Sequence, residues 1–186
     1  MEGDWSVEIG ADLPTIVVPW EGFVDLRRDP LLATGLNETA KSPSLAQALI
    51  KLNQETSPVF TSKCDLWLLS ADEIDPLEFD AERGDTQQGI ACYIDLIARN
   101  PSLFASFPAH EGWARSATER MRGIRMPQTH ADLIVRPSTV NERDGYALTL
   151  YVASCSATED VAQTIFRAAL EAASTITMEV EPTVGE

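Results

Sequence analysis

Thr15-Ile16-Val17-Val18-Pro19-Trp20-Glu21-Gly22-Phe23-Val24-Asp25-Leu26 is the stretch on which the reading of the fold turns. Its apolar, β-branched and aromatic residues describe a strand, bent or bulged at Pro19 and Gly22 because a proline cannot donate to the ladder. A weaker edge strand, Ser6 to Ile9, pairs with it. Downstream, Ser42 as N-cap, Pro43 at the first helical position and the stripe Leu45, Leu49, Leu52 mark a helix over 43–53.

Outward from this pair the pattern continues regularly. Phe60 to Leu69 and Ile90 to Ala98 are strands separated by the acidic loop Asp72 to Glu82. A helix over 108–122 places Trp113, Ala117, Met121 and Ile124 on one face and stops at Gly123. Ala131 to Val140 and Tyr146 to Cys155 flank Asn141-Glu142-Arg143-Asp144-Gly145, a hairpin signal because Asp-Gly lies between two alternating runs. A last helix over 158–177 opens at Thr158 with Glu159 and Asp160 at its positive end, and turns Val161, Ile165, Ala169, Ala172 and Ile176 inward. The order predicts an α+β fold: a ferredoxin-like βαββαβ core with a C-terminal βα extension, its sheet mainly antiparallel and its helices on one face.

The two halves, 15–70 and 90–140, look alike. Phe23-Val24-Asp25-Leu26 before Asp29-Pro30 matches Tyr93-Ile94-Asp95-Leu96 before Asn100-Pro101, and Asp65-Leu66 matches Asp132-Leu133. With Asp12-Leu13 there are five Asp-Leu pairs, where 13 Asp and 18 Leu in 186 residues give about 1.3 by chance. An internal duplication is one reading of this excess and coincidence among strand starts is the other.

Composition sets the class. At 186 residues with 44% apolar and 23% charged, the chain has enough apolar surface for one globular domain, placed over 1–178, with 179–186 as a frayed acidic tail. A net charge of −15 repels phosphate backbones and anionic lipid, so neither nucleic acid nor a membrane surface is an expected partner. The acidic start Met1-Glu2-Gly3-Asp4 is unlike a signal peptide, and Cys64, Cys92 and Cys155 are odd in number and widely spaced, which reads as reduced, buried thiols in a cytoplasmic protein.

The chemistry-bearing motifs are absent or broken. There is no phosphate-cradling glycine loop and no Gly-x-Ser-x-Gly elbow. His110-Glu111-Gly112-Trp113-Ala114 lacks the second histidine of a zinc helix, which leaves His110 and Glu111 as an acid/base pair or, more simply, as residues of a solvated first turn. Cys155 in Ala153-Ser154-Cys155-Ser156 ends a strand and is the best placed nucleophile, yet no local pattern supplies its histidine. The acids of 72–85 do not follow a calcium-loop spacing and read as a solvated loop. Arg115, Arg120, Arg122 and Arg125 pair more simply with helix acids than with an anionic ligand. No cofactor is expected.

Alternation along the strands singles out one surface. It sends Val24, Leu26, Ile94, Leu96 and Leu133 toward the helices and Phe23, Asp25, Asp65, Trp67, Tyr93, Asp95 and Asp132 to the opposite face. A 4-1-3-2 strand order then sets Asp25 beside Asp95, with Asp65 and Asp132 on flanking strands. Two functions compete. In one, a non-catalytic domain self-associates, most simply as a homodimer, or binds a partner through this aromatic face. In the other, the clustered aspartates hold a divalent cation for an enzyme or a small-molecule site.

Overall fold

The computed structural model describes residues 1–10, 13 and 15–180, so Asp12 and the tail beyond Val180 lie outside the described residues. It is an α+β fold built on a six-stranded, mostly antiparallel sheet. The strands are β1 (Glu2–Val7), β2 (Ile16–Val18), β3 (Val59–Ser70), β4 (Gln88–Ala98), β5 (Thr129–Val140) and β6 (Arg143–Ser156). The helices are α1 (Pro43–Asn53), the single turn α2 (Pro101–Phe104), α3 (Phe107–Arg122) and α4 (Glu159–Glu179).

Across the sheet the order is β1-β5-β6-β4-β3, with β1 and β2 both parallel to β5 along its outer edge. This departs from the ferredoxin-like 4-1-3-2 order. The place expected for the first strand, between β5 and β4, is taken by β6. Asn141 and Glu142, at φ 48° and 66°, form a two-residue hairpin turn that pins the 14-residue β6 against β5, and β6 then pairs with β4 from Leu148↔Leu96 to Ser156↔Gln88. The stretch Thr15 to Leu26 contributes only three strand residues and cannot compete for that edge, because Pro19 has no N–H to offer. The turn lies earlier than Asp144-Gly145, which belong to β6. Gly145 is there for space: a Cβ at that position would sit 2.5 Å from the carbonyl oxygen of Phe104.

Ser42 caps α1 as the sequence predicts, whereas Thr158, expected to cap α4, makes no side-chain capping hydrogen bond. Ser42 Oγ accepts from Leu45 N–H at 3.3 Å and Ser106 Oγ from Ala109 N–H at 3.3 Å. α1 packs on β3, α4 on β4 and β6, and α3 on β1 and β5. Between helices and sheet lie Leu45, Leu49, Ile94, Leu96, Leu133, Leu148, Leu150 and Trp113, all essentially inaccessible. Two inward assignments are corrected. Val24 is exposed, because its segment is no strand. The buried stripe of α4 is Ala162, Phe166, Ala169, Leu170, Ala173 and Ile176, which leaves Val161 at the surface. The alternative stripe starting at Val161 shares only Ala169 and Ile176 with it, and the bulky Phe166 decides the rotation.

The sheet's second face is covered at both ends. At one end the acidic loop 71–87 folds back as a flap. Its Ile74 and Phe79 are buried against Leu69, Ala91, Ala153 and Cys155. A loop that reads as solvated from its charges is thus anchored by its two apolar residues. At the other end the chain leaves β2 on the β5 edge and crosses to β3, where Arg27 stacks 4.3 Å from the Phe60 ring and Lys63 sits 5.3 Å from the Trp20 ring.

Candidate functional site: an aromatic strip on the second sheet face

Register alone assembles the middle of this face. Asp65 pairs with Tyr93, Tyr93 with Tyr151, Tyr151 with Asp132 and Asp132 with Asp4, forming one row across five strands. Partners in register share a face, so two tyrosines lie at the centre of the row and carboxylates at its ends. In the next row Trp67 stands opposite Ala91, whose small side chain leaves the indole free to lean over the tyrosines. Its ring centroid is 6.4 Å from Tyr93 and 5.8 Å from Tyr151, both tilted. All three rings are half-buried, between the flap and the crossing segment.

The carboxylates at the ends of the row have local partners. Asp65 Oδ1 accepts the N–H of Leu66 at 2.7 Å on edge strand β3, and Asp4 Oδ1 accepts the N–H of Trp5 at 2.8 Å on edge strand β1. At the flap end of β3, Glu73 takes the Ser70 N–H at 2.9 Å. Edge donors that would otherwise recruit another strand are thereby capped by acids. Asp132 accepts from His130 Nε2 at 2.8 Å while His130 Nδ1 donates to the Glu78 carbonyl at 3.1 Å, tying the flap to β5. Burial pulls the His130 pKa down, but the hydrogen bond and charge of Asp132, joined by Glu78, outweigh it and leave the imidazole more basic than usual.

Asp95 and Asp25 lie elsewhere. Asp95 is 3% exposed beneath the crossing segment, where Thr149 Oγ1 donates to it at 2.6 Å; burial raises its pKa, against the opposing pull of Thr149, Arg136 and Lys63. Asp25 is in a turn, clasped by Arg27 through Nε at 2.6 Å and Nη2 at 2.8 Å, a hydrogen-bonded pair that holds its carboxyl below the usual range. Phe23 is in the same segment, half-buried and edge-on to Trp20 at 6.3 Å. Expecting Asp25 beside Asp95 is therefore an error of topology: with β2 at the far edge, the two never share a ladder. Asp65 and Asp132 share a row but are three strand spacings apart, about 14 Å. Among the described residues no group of three or more His, Cys, Asp or Glu is placed to hold a metal ion.

The nucleophile candidates are unactivated. Burial pushes the Cys64 thiol up to about 12 and the Cys155 thiol up to about 11, and it raises Cys92 as well. Tyr151 is likewise pushed up to about 12 by burial and by the Asp132 charge, so its phenol stays neutral. His110 is no solvated helix-start residue. It is fully buried between Trp113 and Tyr146, its Nδ1 bonded to the Ser106 carbonyl at 3.0 Å, and burial lowers its pKa. Glu111 does pair with Arg115, at 2.8 Å, while Arg120 reaches Glu179 at 2.8 Å instead of a neighbour on its own helix.

No protein-family model matches the chain, and neither a curated protein nor a solved structure shows a significant match.

Sequence reasoning finds Trp67, Tyr93, Asp65 and Asp132, and misses Tyr151, His130 and Trp20. Tyr151 is legible in principle, since it alternates with the inward Leu150 and Val152. It goes unread when β6 is taken as an appendage to the sheet.

Proposed function

We propose that the protein is a non-catalytic binding module that docks a partner on the strip Trp67, Tyr93 and Tyr151, and that the partner is a second copy of the chain. The observation that carries this reading is the strip itself. Three neighbouring aromatic rings remain half-exposed on a face whose Leu69, Ala91 and Ala153 are buried by the flap. Large aromatics in that setting contribute most of the energy of an interface when a partner covers them. The capped edge N–H groups favour contact through side chains over ladder extension, which suits a closed pair better than an open-ended assembly.

Thiols raised by burial, phenols held neutral and aspartates committed to local partners all argue for binding without chemistry. The reduced cysteines suit a cytoplasmic setting, which belongs to the same proposal. No described helix is long and apolar enough to cross a membrane.

Light scattering tests the reading. The wild type is expected at twice the chain mass and Trp67→Glu at the chain mass, with an unchanged circular dichroism spectrum. Because two chains of charge −15 repel one another, added salt is expected to tighten the dimer. A monomeric wild type at all salt concentrations, or a dimeric Trp67→Glu, contradicts it. A monomer that gains thermal stability from Mg²⁺ or Mn²⁺, with the gain lost in Asp65→Asn, would instead favour a cation site.

A further inference from the structure

The chain is strongly acidic, with 14 basic residues against 29 acids, and yet three of its arginines converge on one cleft. This cleft lies at the end of the sheet away from the flap, has a volume of about 440 Å³, and is lined by Arg27, Arg99 and Arg143 over the apolar side chains of Phe60, Ile97 and Phe104. No carboxylate lines it among the described residues. The fold brings these groups together from the start of β3, the end of β4, the crossing segment and the β5–β6 hairpin, four places far apart in sequence.

Two of the guanidinium groups are held in place before any ligand arrives. Arg99 donates from Nε to the Val59 carbonyl at 2.9 Å and from Nη2 to the carbonyls of Asn53 and Gln54 at 3.1 and 3.2 Å, which also closes the C-terminal end of α1. Arg27 is fixed by Asp25 through Nε and Nη2 and by its stack on Phe60 at 4.3 Å. Both therefore spend the same two nitrogens on the protein and, among the described residues, keep Nη1 without a protein acceptor. Arg143 is exposed on the hairpin and forms no ion pair among the described residues. Burial and the neighbouring Arg27 charge make the Arg99 cation less favourable, against the smaller opposing pull of Asp25 and Glu55, and an anion in the cleft would add to that pull.

We propose that this cleft binds a small organic anion, with a carboxylate or phosphate head between the guanidinium groups and an apolar body on Phe60, Ile97 and Phe104. The fork geometry of arginine matches both heads. The volume is in the range of small-molecule sites, and the apolar floor distinguishes an organic anion from a bare inorganic one. The site is independent of the aromatic strip: Arg143 and Trp67 lie at opposite ends of the sheet, so either proposal can fail alone.

Phenyl phosphate, phenylacetate, inorganic phosphate and benzyl alcohol are the probes, titrated into ¹⁵N-labelled full-length protein and into Arg143→Gln. Arg143 is the residue to change because its side chain is exposed and, among the described residues, makes no hydrogen bond or ion pair, so the variant keeps the fold. At least one of the two aromatic anions is expected to bind at millimolar concentration or below, with amide shifts at Ala98, Arg99, Asn141 and Arg143. Inorganic phosphate is expected to bind about tenfold more weakly, benzyl alcohol not measurably, and Arg143→Gln to weaken the bound aromatic anion about tenfold. Absence of shifts at these amides with both aromatic anions overturns the proposal. So does equal affinity in the variant, which would mean the anion does not contact Arg143, or binding of benzyl alcohol as tight as phenyl phosphate, which would make the cleft merely apolar.

Discussion

Phe23-Val24-Asp25-Leu26 and Tyr93-Ile94-Asp95-Leu96 are nearly the same four residues, and they have opposite fates. The second lies in β4, paired on both sides, with Ile94 at 0% exposure and Asp95 buried beside Thr149. The first is a chain crossing, with Val24 at 39% exposure and Asp25 turned out to Arg27. Their flanks make the difference. Pro19 and Gly22, the latter at φ 87°, break the run before Phe23, and Arg27-Arg28-Asp29-Pro30 closes the segment into turns, whereas β4 runs unbroken from Gln88 to Ala98. A four-residue alternation has no means of choosing its ladder. A long run flanked by two long partners does.

The largest test of that contrast is truncation. Ile94→Ala is expected to cost about 2–5 kcal/mol in urea denaturation, since a fully buried aliphatic in a central strand leaves a cavity that the two neighbouring strands hold open. Val24→Ala is expected to stay within about 0.5 kcal/mol, as for surface positions. Equal costs would mean that the first segment is packed like the second.

A finer contrast lies in the two aspartates, whose shifts have opposite signs. Asp25 has a folded pKa below its ordinary 3.8, so its stabilising contribution is fully present above that value and is lost as pH falls through the folded value. Asp95 has a folded pKa above 3.8, so the contribution it makes in acid is lost as pH rises through its folded value. Asp25→Asn is therefore expected to destabilise by about 1 kcal/mol at pH 7 and hardly at all near pH 2. Asp95→Asn is expected to be neutral or stabilising at pH 7 and to lose that advantage in acid. Denaturation midpoints across pH 2–7 measure both, and parallel profiles would break the comparison.

The smallest effect sharpens it with the histidines. His130 is raised above its ordinary 6.5, so its bond to Asp132 supports the flap fully below that pH and fades as pH rises through the folded value. His130→Gln should then cost under about 1 kcal/mol at pH 6 and nearly nothing at pH 8, and should speed exchange of the Gln128 N–H, which bonds the Phe79 carbonyl of the flap at 2.8 Å. His110, lowered by burial, has the opposite sign: it favours the fold fully above 6.5 and weakens it as pH falls below that value.

Much of this molecule is legible in its sequence because the signals are local. Ser42-Pro43 starts α1 where it reads, and the alternation along Ala131 to Val140 assigns Leu133 inward and Asp132 outward. The strand order is not local. It depends on which of two strands wins the edge of β4, a competition settled by the length of β6 and by the two-residue turn at Asn141-Glu142. The candidate site inherits that limit. Trp67 and Tyr93, on directly paired strands, are found together, whereas Tyr151 joins them only once β6 is central. The arginine cleft gathers four separate segments and leaves no mark on any one of them.

The central claim is that a second copy covers the aromatic strip, and isotope-filtered NOE spectroscopy on an equimolar mixture of ¹³C-labelled and unlabelled chains tests it most directly. Intermolecular NOEs joining Trp67, Tyr93 or Tyr151 of one copy to the other are the expected result. Their absence, or intermolecular NOEs confined to helix-side residues such as Val161, would contradict it.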